Sequence, residues 1–159
     1  MNMYVLQVKP GFEEAAAAAL EEKGFSAFCP SQEVYIRHGG QWHKKLKLVF
    51  TQYVFIECEL DDKAYYQIKS VVGVVRFLGC GNPEALQEHE KRYLIWLYNG
   101  GKPIEASKIY VTTSGDYMIL SGLLKEYPID KIDLRQRRAK ITVPFCGKDH
   151  KVTLPVIGI

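Results

Sequence analysis

The residues best able to do chemistry in this chain are cations set among aromatics. Arg37, His38, His43, Lys44, Lys45 and Lys47 surround Trp42, in a stretch with no Asp or Glu from Val34 to Ile56. Positive charge beside an aromatic ring suits a single nucleic-acid strand, because the cations meet phosphates while the ring stacks on a base. A second basic group lies near the end of the chain: Arg135, Arg137, Arg138 and Lys140, then Lys148, His150 and Lys151. Guanidinium forks match phosphate oxygens and also stack on bases, so this group is a candidate RNA contact. A solvated hairpin tip and a solvated charged face are the ordinary alternatives, and residue types alone leave them open.

The distribution of charge favours the second group. The net charge is +3. Residues 1–109 hold 13 Lys+Arg and 13 Asp+Glu, so the whole excess falls in residues 110–159. Clustered positive charge attracts polyanions, since each phosphate contact releases condensed counterions.

The other reactive residue types do not assemble into a reaction centre. Cys29, Cys58, Cys80 and Cys146 are scattered, with no Cys-x-x-Cys pair and no clustered histidines. A zinc site wants closely spaced ligands, so no metal is expected, and the thiols read as reduced and mostly buried. Gly79-Cys80-Gly81 lacks the Lys-Ser/Thr that follows in a phosphate loop. The paired acids Glu13-Glu14, Glu21-Glu22 and Asp61-Asp62 suit helix ends better than acid/base work. No catalytic residue and no cofactor are expected, and the chain reads as a binding protein rather than an enzyme. No apolar run approaches the ~20 residues that span a bilayer. Met1 to Lys9 lacks the layout of an export signal. A cytoplasmic protein without a membrane partner is the expectation.

The elements that must position these residues fall into two sets. Met3–Val8 alternates as a strand, and Phe12–Lys23 reads as a helix with acids at its start and Gly24 at its end. Strands at Phe25–Cys29 and Gln52–Glu59 bracket a hairpin over 33–49, turned at Gly39-Gly40. A short helix from Asp61 toward Lys69, a strand at Val71–Leu78 and a helix opened by Asn82-Pro83-Glu84 follow. Asn99-Gly100-Gly101-Lys102-Pro103 is the candidate linker. Beyond it only strands are predicted: Tyr110–Thr113, Tyr117–Ser121, Ile129–Asp133, Ala139–Phe145 and Lys151–Leu154. The spacing suits a small barrel. The expected class is α+β, with an α/β domain over 1–105 and a five-stranded β-barrel over 106–159.

Six segments, in order, resemble the NusG family of bacterial transcription factors. Tyr4-Val5-Leu6-Gln7-Val8 with Gly11-Phe12-Glu13 resembles its opening strand and helix. Lys45, Phe50 and Gln52-Tyr53-Val54-Phe55-Ile56 resemble its basic, Phe, Gly-Tyr-Val-Phe-Val strand. Val72-Gly73-Val74-Val75-Arg76-Phe77-Leu78-Gly79 and Asn82-Pro83 continue the likeness. Gly115-Asp116, Ile119, Gly122, Ile132-Asp133 and Arg138-Ala139-Lys140-Ile141, then Phe145 and Gly147, resemble its KOW barrel. Two departures stand out. Gln52 occupies a position where the family usually has Gly. Gly122 to Pro128 replaces a glycine-rich loop at which family members often meet protein partners.

The resemblance implies an elongation factor that is a monomer and binds RNA polymerase through its first domain. The docking target would be the paired clamp helices of the largest subunit, met by Tyr53 and Phe55, with Tyr4 and Leu6 nearby in the sheet. The hairpin cations Arg37, Lys44, Lys45 and Lys47 would face upstream or non-template DNA. The tail cations Arg135, Arg137, Arg138, Lys140, Lys148 and Lys151 would hold RNA, for example a hairpin of the nascent transcript. The basic tail and altered loop look most like specialised antitermination paralogues of the LoaP type. A general factor coupling polymerase to a ribosome or a termination factor, and a ribosome-associated KOW protein, are the alternatives. Tyr53 and Phe55 lie on one face of their strand, Val54 and Ile56 on the other, so one face can line a core while the other meets a partner.

Overall fold

The computed structural model describes residues 1–159. In chain order the first elements are β1 (Asn2–Val8), α1 (Glu13–Glu22), β2 (Ser26–Phe28), β3 (Ser31–His38), β4 (Gln41–Leu48) and β5 (Tyr53–Cys58). Then come α2 (Asp62–Lys69), β6 (Val74–Phe77) and α3 (Glu88–Tyr98). The remainder is β7 (Ser107–Val111), β8 (Tyr117–Ser121), β9 (Lys131–Asp133), β10 (Arg138–Phe145) and β11 (Lys148–Gly158). The class is α+β, as expected. Two compact units form, and neither is one continuous stretch of chain.

The first unit comprises Met1–Cys29, Phe50–Tyr98 and Pro144–Lys148. Its sheet has the order β2-β5-β1-β6, with every neighbouring pair antiparallel. Tyr4 faces Ile56, Leu6 faces Val54, and Val5 faces Phe55. Residues opposite one another share a face. One face therefore carries Tyr4, Leu6, Val54 and Ile56, which are buried with Ala16 and Leu20 of α1 and Ile68 of α2. The alanines of α1 are good helix formers and thin enough to let the helix lie close on the sheet. Asp61 caps α2 by accepting the Ala64 N–H at 2.7 Å.

The chain enters β5 at Gln52, whose φ of 68° is left-handed, and only Gly adopts that region freely. Glu13, 5% exposed, accepts the Gln52 N–H on its carboxylate at 2.9 Å. Burial alone would raise the Glu13 pKa. The backbone hydrogen bonds to its carboxylate, that from Gln52 foremost, outweigh burial and hold it below the ordinary value of 4.5.

The third helix begins five residues later than Asn82-Pro83 suggests. The intervening segment pairs with the sheet instead: Glu84 N–H donates to Leu78 O at 3.1 Å and Leu86 N–H to Met3 O at 2.8 Å. The cap is Gln87, whose N–H is taken by the Glu90 carboxylate at 2.8 Å, which is half of a capping box.

The second unit comprises Pro30–Val49, Asn99–Val143 and Asp149–Ile159. The β3–β4 hairpin pairs from Ser31↔Leu48 to His38↔Gln41. Gly39 and Gly40 turn it with φ of 61° and 76°, the two left-handed residues of a tight hairpin turn. The five-stranded sheet has the order β8-β7-β11-β10-β9 and is of the KOW barrel type. Ala139, Ile141 and Val143 point inward from β10 and are buried, as are Val152, Leu154 and Val156 of β11. Arg138 and Lys140 alternate outward. The first barrel strand starts at Ser107, earlier than Tyr110, and β11 is longer than Lys151–Leu154. Pairing of β11 with β7 starts at Val156, just past Pro155, which has no N–H to give.

Candidate binding surfaces

The first candidate surface lies on the sheet face of the first unit opposite α1 and α2. Phe55 is fully buried there. Its ring stacks on Phe28 at 5.5 Å and meets Phe50 edge-on at 5.4 Å. Tyr98 of α3 packs on Phe28 at 4.6 Å. Lys91 of the same helix reaches Glu57 at 3.0 Å, which ties α3 to β5. The remaining aromatic is Phe145, fully buried, 5.6 Å from Phe55, 5.5 Å from Phe50 and 5.5 Å from Tyr53.

Phe145 reaches this position from the tip of the β10–β11 hairpin, where Cys146 and Gly147 turn the chain with φ of 51° and 75°. The tip belongs to the first unit although its strands belong to the second. Burial, then Glu84 and Glu90, push the Cys146 thiol up to about 11. Burial, then Glu13 and Glu14, push the Cys29 thiol to about 12. Neither is a nucleophile at neutral pH.

Tyr53 and Phe55 share this face, as their spacing implies. Tyr4 and Leu6 do not. Register places them on the helix-covered face with Val54 and Ile56, where they are 8% and 0% exposed. Residue types mislead here because β1 is buried on both sides, so its apolar run shows no alternation from which a face could be chosen. Phe28, Phe50 and Phe145 replace them as neighbours of Phe55. Phe50 and Phe145 stand in motifs, but nothing local in the sequence pairs residue 145 with residue 55.

The second candidate surface is basic and lies within the second unit. By register Lys44 shares a hairpin face with Tyr35, whereas Lys45 faces Val34 and Lys47 faces Gln32. Lys45, Lys47, Arg137 and Arg138 line a cleft of about 310 Å³ with Tyr35 and Pro155. An adjoining open groove is lined by Tyr35, Arg37, Trp42, Arg135 and Arg138. Arg37, Lys45 and Lys47 of the hairpin and the tail arginines, far apart in sequence, thus line two adjoining clefts, while Lys44 lines neither. Lys140 and Arg138 border a third, with Lys131 and the carboxylate of Asp133. Lys131 and Lys140 stand directly opposite on β9 and β10, a like-charge pair that an anion would relieve.

Two tail cations are placed elsewhere. Lys151 is engaged with Asp130 at 3.6 Å and Thr142 at 2.7 Å. Lys148 belongs to the hairpin tip of the first unit.

The family described as transcription termination factor NusG matches residues 1–95, more than half of the chain. The chain belongs to the NusG family. It is a transcription termination/antitermination factor of that type. The NusG protein of Buchnera aphidicola is 27% identical over 169 residues, covering 95% of this chain and 91% of that protein. The NusG protein of Thermus thermophilus is 25% identical over 174 residues, covering 97% and 95%. Both carry the name transcription termination/antitermination protein NusG. A solved structure of Thermotoga maritima NusG, described by its domain interaction, has the same fold. It superposes with a TM-score of 0.60 at 23% identity, covering 98% of this chain and 93% of that one. No helix is long and apolar enough to cross a membrane.

Gln52 shows how this chain departs from the NusG pattern without losing the fold. Gln52, standing where the family usually has Gly, is left-handed in this chain, with its N–H held by Glu13.

Proposed function

We propose that this NusG-family chain is a processive antitermination factor that grips RNA polymerase with the Tyr53–Phe55 face and holds RNA on the clefts lined by hairpin and tail cations. The observation that carries the reading is the aromatic cluster of Phe28, Phe50, Tyr53 and Phe55, with Phe145 against Phe50, Tyr53 and Phe55 and Tyr98 of α3 against Phe28. Aromatics offer large contact area with few rotors to freeze, which suits docking on paired helices. Phe145 covers that area in the free protein. Polymerase binding then requires the hairpin tip to lift, so the factor is held closed until it is recruited.

The RNA arm rests on charge. Arg135, Arg137 and Arg138 line the clefts together with Arg37, Lys45 and Lys47, and no Asp or Glu lines the two that adjoin. The loop at which NusG proteins often meet protein partners is here a short 3-10 turn, Leu123–Lys125, with Leu124 buried. Both features favour RNA as the second partner over a ribosomal protein or a termination factor.

Transcription through a terminator by purified polymerase tests the reading. Antitermination predicts more read-through when the protein is present and a gel shift of a transcript hairpin. More termination, or capture of a ribosomal protein by the tail with no RNA shift, would instead identify a general coupling factor.

A further inference from the structure

We infer that Tyr35 and Trp42 form a stacking cage for one unpaired base of a nucleic-acid strand, and that Arg137 fills the cage until that base displaces it. The inference rests on the nucleic-acid reading above and deepens it. It assigns recognition to a particular pair of rings and to unpaired rather than duplex nucleic acid.

The geometry is specific. The Arg137 guanidinium carbon lies 4.7 Å from the centre of the Tyr35 ring and 4.5 Å from that of Trp42. The two rings meet edge-on at 6.4 Å, so one flat cation contacts both. Arg37 adds a second guanidinium over Trp42 at 5.5 Å. A guanidinium is planar and delocalised, and it stacks on aromatic faces as a nucleobase does. The slot it occupies has the shape and chemistry of a base site.

Arg137 is also held in an unusual way. Its φ is 56°, a left-handed conformation that side-chain-bearing residues rarely adopt. The main chain is pinned there by Arg137 N–H to Leu134 O at 3.3 Å and by Val156 N–H to Arg137 O at 3.2 Å. Those bonds involve only backbone, so the side chain can swing out while the turn stays in place. Once outside, its charge joins Arg135 and Arg138 on the phosphates.

The surroundings fit a strand passing over the cage. The two adjoining clefts share Tyr35, Ile36 and Arg138 as lining. Tyr35 and Arg137 line the smaller, about 310 Å³ and at the low end of the roughly 300–1,000 Å³ of ligand clefts, and Tyr35 and Trp42 line the larger open groove. Gln32, 3% exposed, lines the smaller, and its Oε1 has no hydrogen-bond partner. A buried acceptor of this kind can be satisfied by the amino group of a base edge.

Trp42 reports on the cage directly, because the other tryptophan, Trp96, is buried in the first unit. The full chain is titrated with a single-stranded RNA, the same sequence as DNA, and a blunt duplex, following emission and anisotropy together. Both single strands are expected to quench Trp42, since stacking reads the base face; the duplex is not. Trp42→Phe should bind with the quench abolished. Trp42→Ala should weaken single-strand binding about 5- to 150-fold, the range for one stacked base, at an unchanged salt slope. Strands that bind without any change in Trp42 emission, or that bind Trp42→Ala as well as wild type, overturn the cage and leave nucleic-acid binding standing. Failure of any strand to bind at low salt overturns both.

Discussion

The ring of Phe145 stands edge-on against the ring of Phe55, centroids 5.6 Å apart and planes at 86°. These residues come from opposite ends of the family pattern, one in the first sheet and one at a barrel hairpin tip. Edge-to-face pairs contribute about 0.5–1.5 kcal/mol each beyond burial, and Phe145 meets Phe50 and Tyr53 in the same way. That is enough to hold a two-residue turn closed and small enough for a strong partner to open it.

Thiol reactivity offers a first check. At pH 8 iodoacetamide should label exposed Cys80 quickly and Cys29 and Cys146 slowly, since burial and neighbouring carboxylates hold the latter two up at about 12 and about 11. Phe145→Ala should accelerate labelling of Cys146 and leave Cys29 slow. Mass-spectrometric peptide mapping reads both. Equal acceleration at Cys29 would mean general unfolding rather than release of the tip.

The Glu13–Gln52 hydrogen bond sets a pH limit on the first unit. The folded carboxyl titrates below the unfolded value of 4.5, so its contribution is fully present above that value and is lost as pH falls through the folded pKa. Glu13→Ala should cost about 1.5–3 kcal/mol at neutral pH, the range for a hydrogen bond to a charged group. The deficit should shrink on acidification below pH 4.5. Urea melts at neutral and acid pH measure it, and a constant deficit would show that the carboxylate charge is irrelevant.

Gln52→Gly should be neutral or stabilising by up to about 1 kcal/mol, because relief of the left-handed strain competes with extra freedom in the unfolded chain. Thermal melts decide it. A destabilisation above about 1 kcal/mol would mean the Gln52 side chain carries packing of its own.

Much of the fold is legible in residues alone. The alternation of Ala139, Ile141 and Val143 with Arg138 and Lys140 specifies the barrel strand and its basic outer face. Gly39-Gly40 specifies the hairpin turn. What eludes such reading depends on neighbours distant in sequence. Nothing around Trp42 says that Arg137 will cover it, and nothing in the doubly buried β1 says which side Tyr4 will take. The late start of α3 has the same origin, because backbone pairing with Met3 and Leu78 outweighs a Pro at a plausible first turn.

Changing Arg135, Arg137 and Arg138 together to Gln should weaken single-stranded RNA binding uniformly across sequences. It should also flatten the log–log salt dependence by about 0.7 for each phosphate no longer neutralised, so roughly 2 in all. Anisotropy titrations across a salt series measure this. An unchanged slope would place the RNA on another surface.

The most direct measurement is the affinity of purified RNA polymerase for wild type and Phe145→Ala, with circular dichroism to establish that both are folded. A covered docking face lowers apparent affinity by the fraction of molecules that are open. Removing the cover should therefore tighten binding by at least about tenfold, given edge-to-face pairs with Phe50, Tyr53 and Phe55 at about 0.5–1.5 kcal/mol each. Equal or weaker binding by a folded Phe145→Ala protein would contradict the assignment of the Tyr53–Phe55 face as the polymerase site held closed by Phe145.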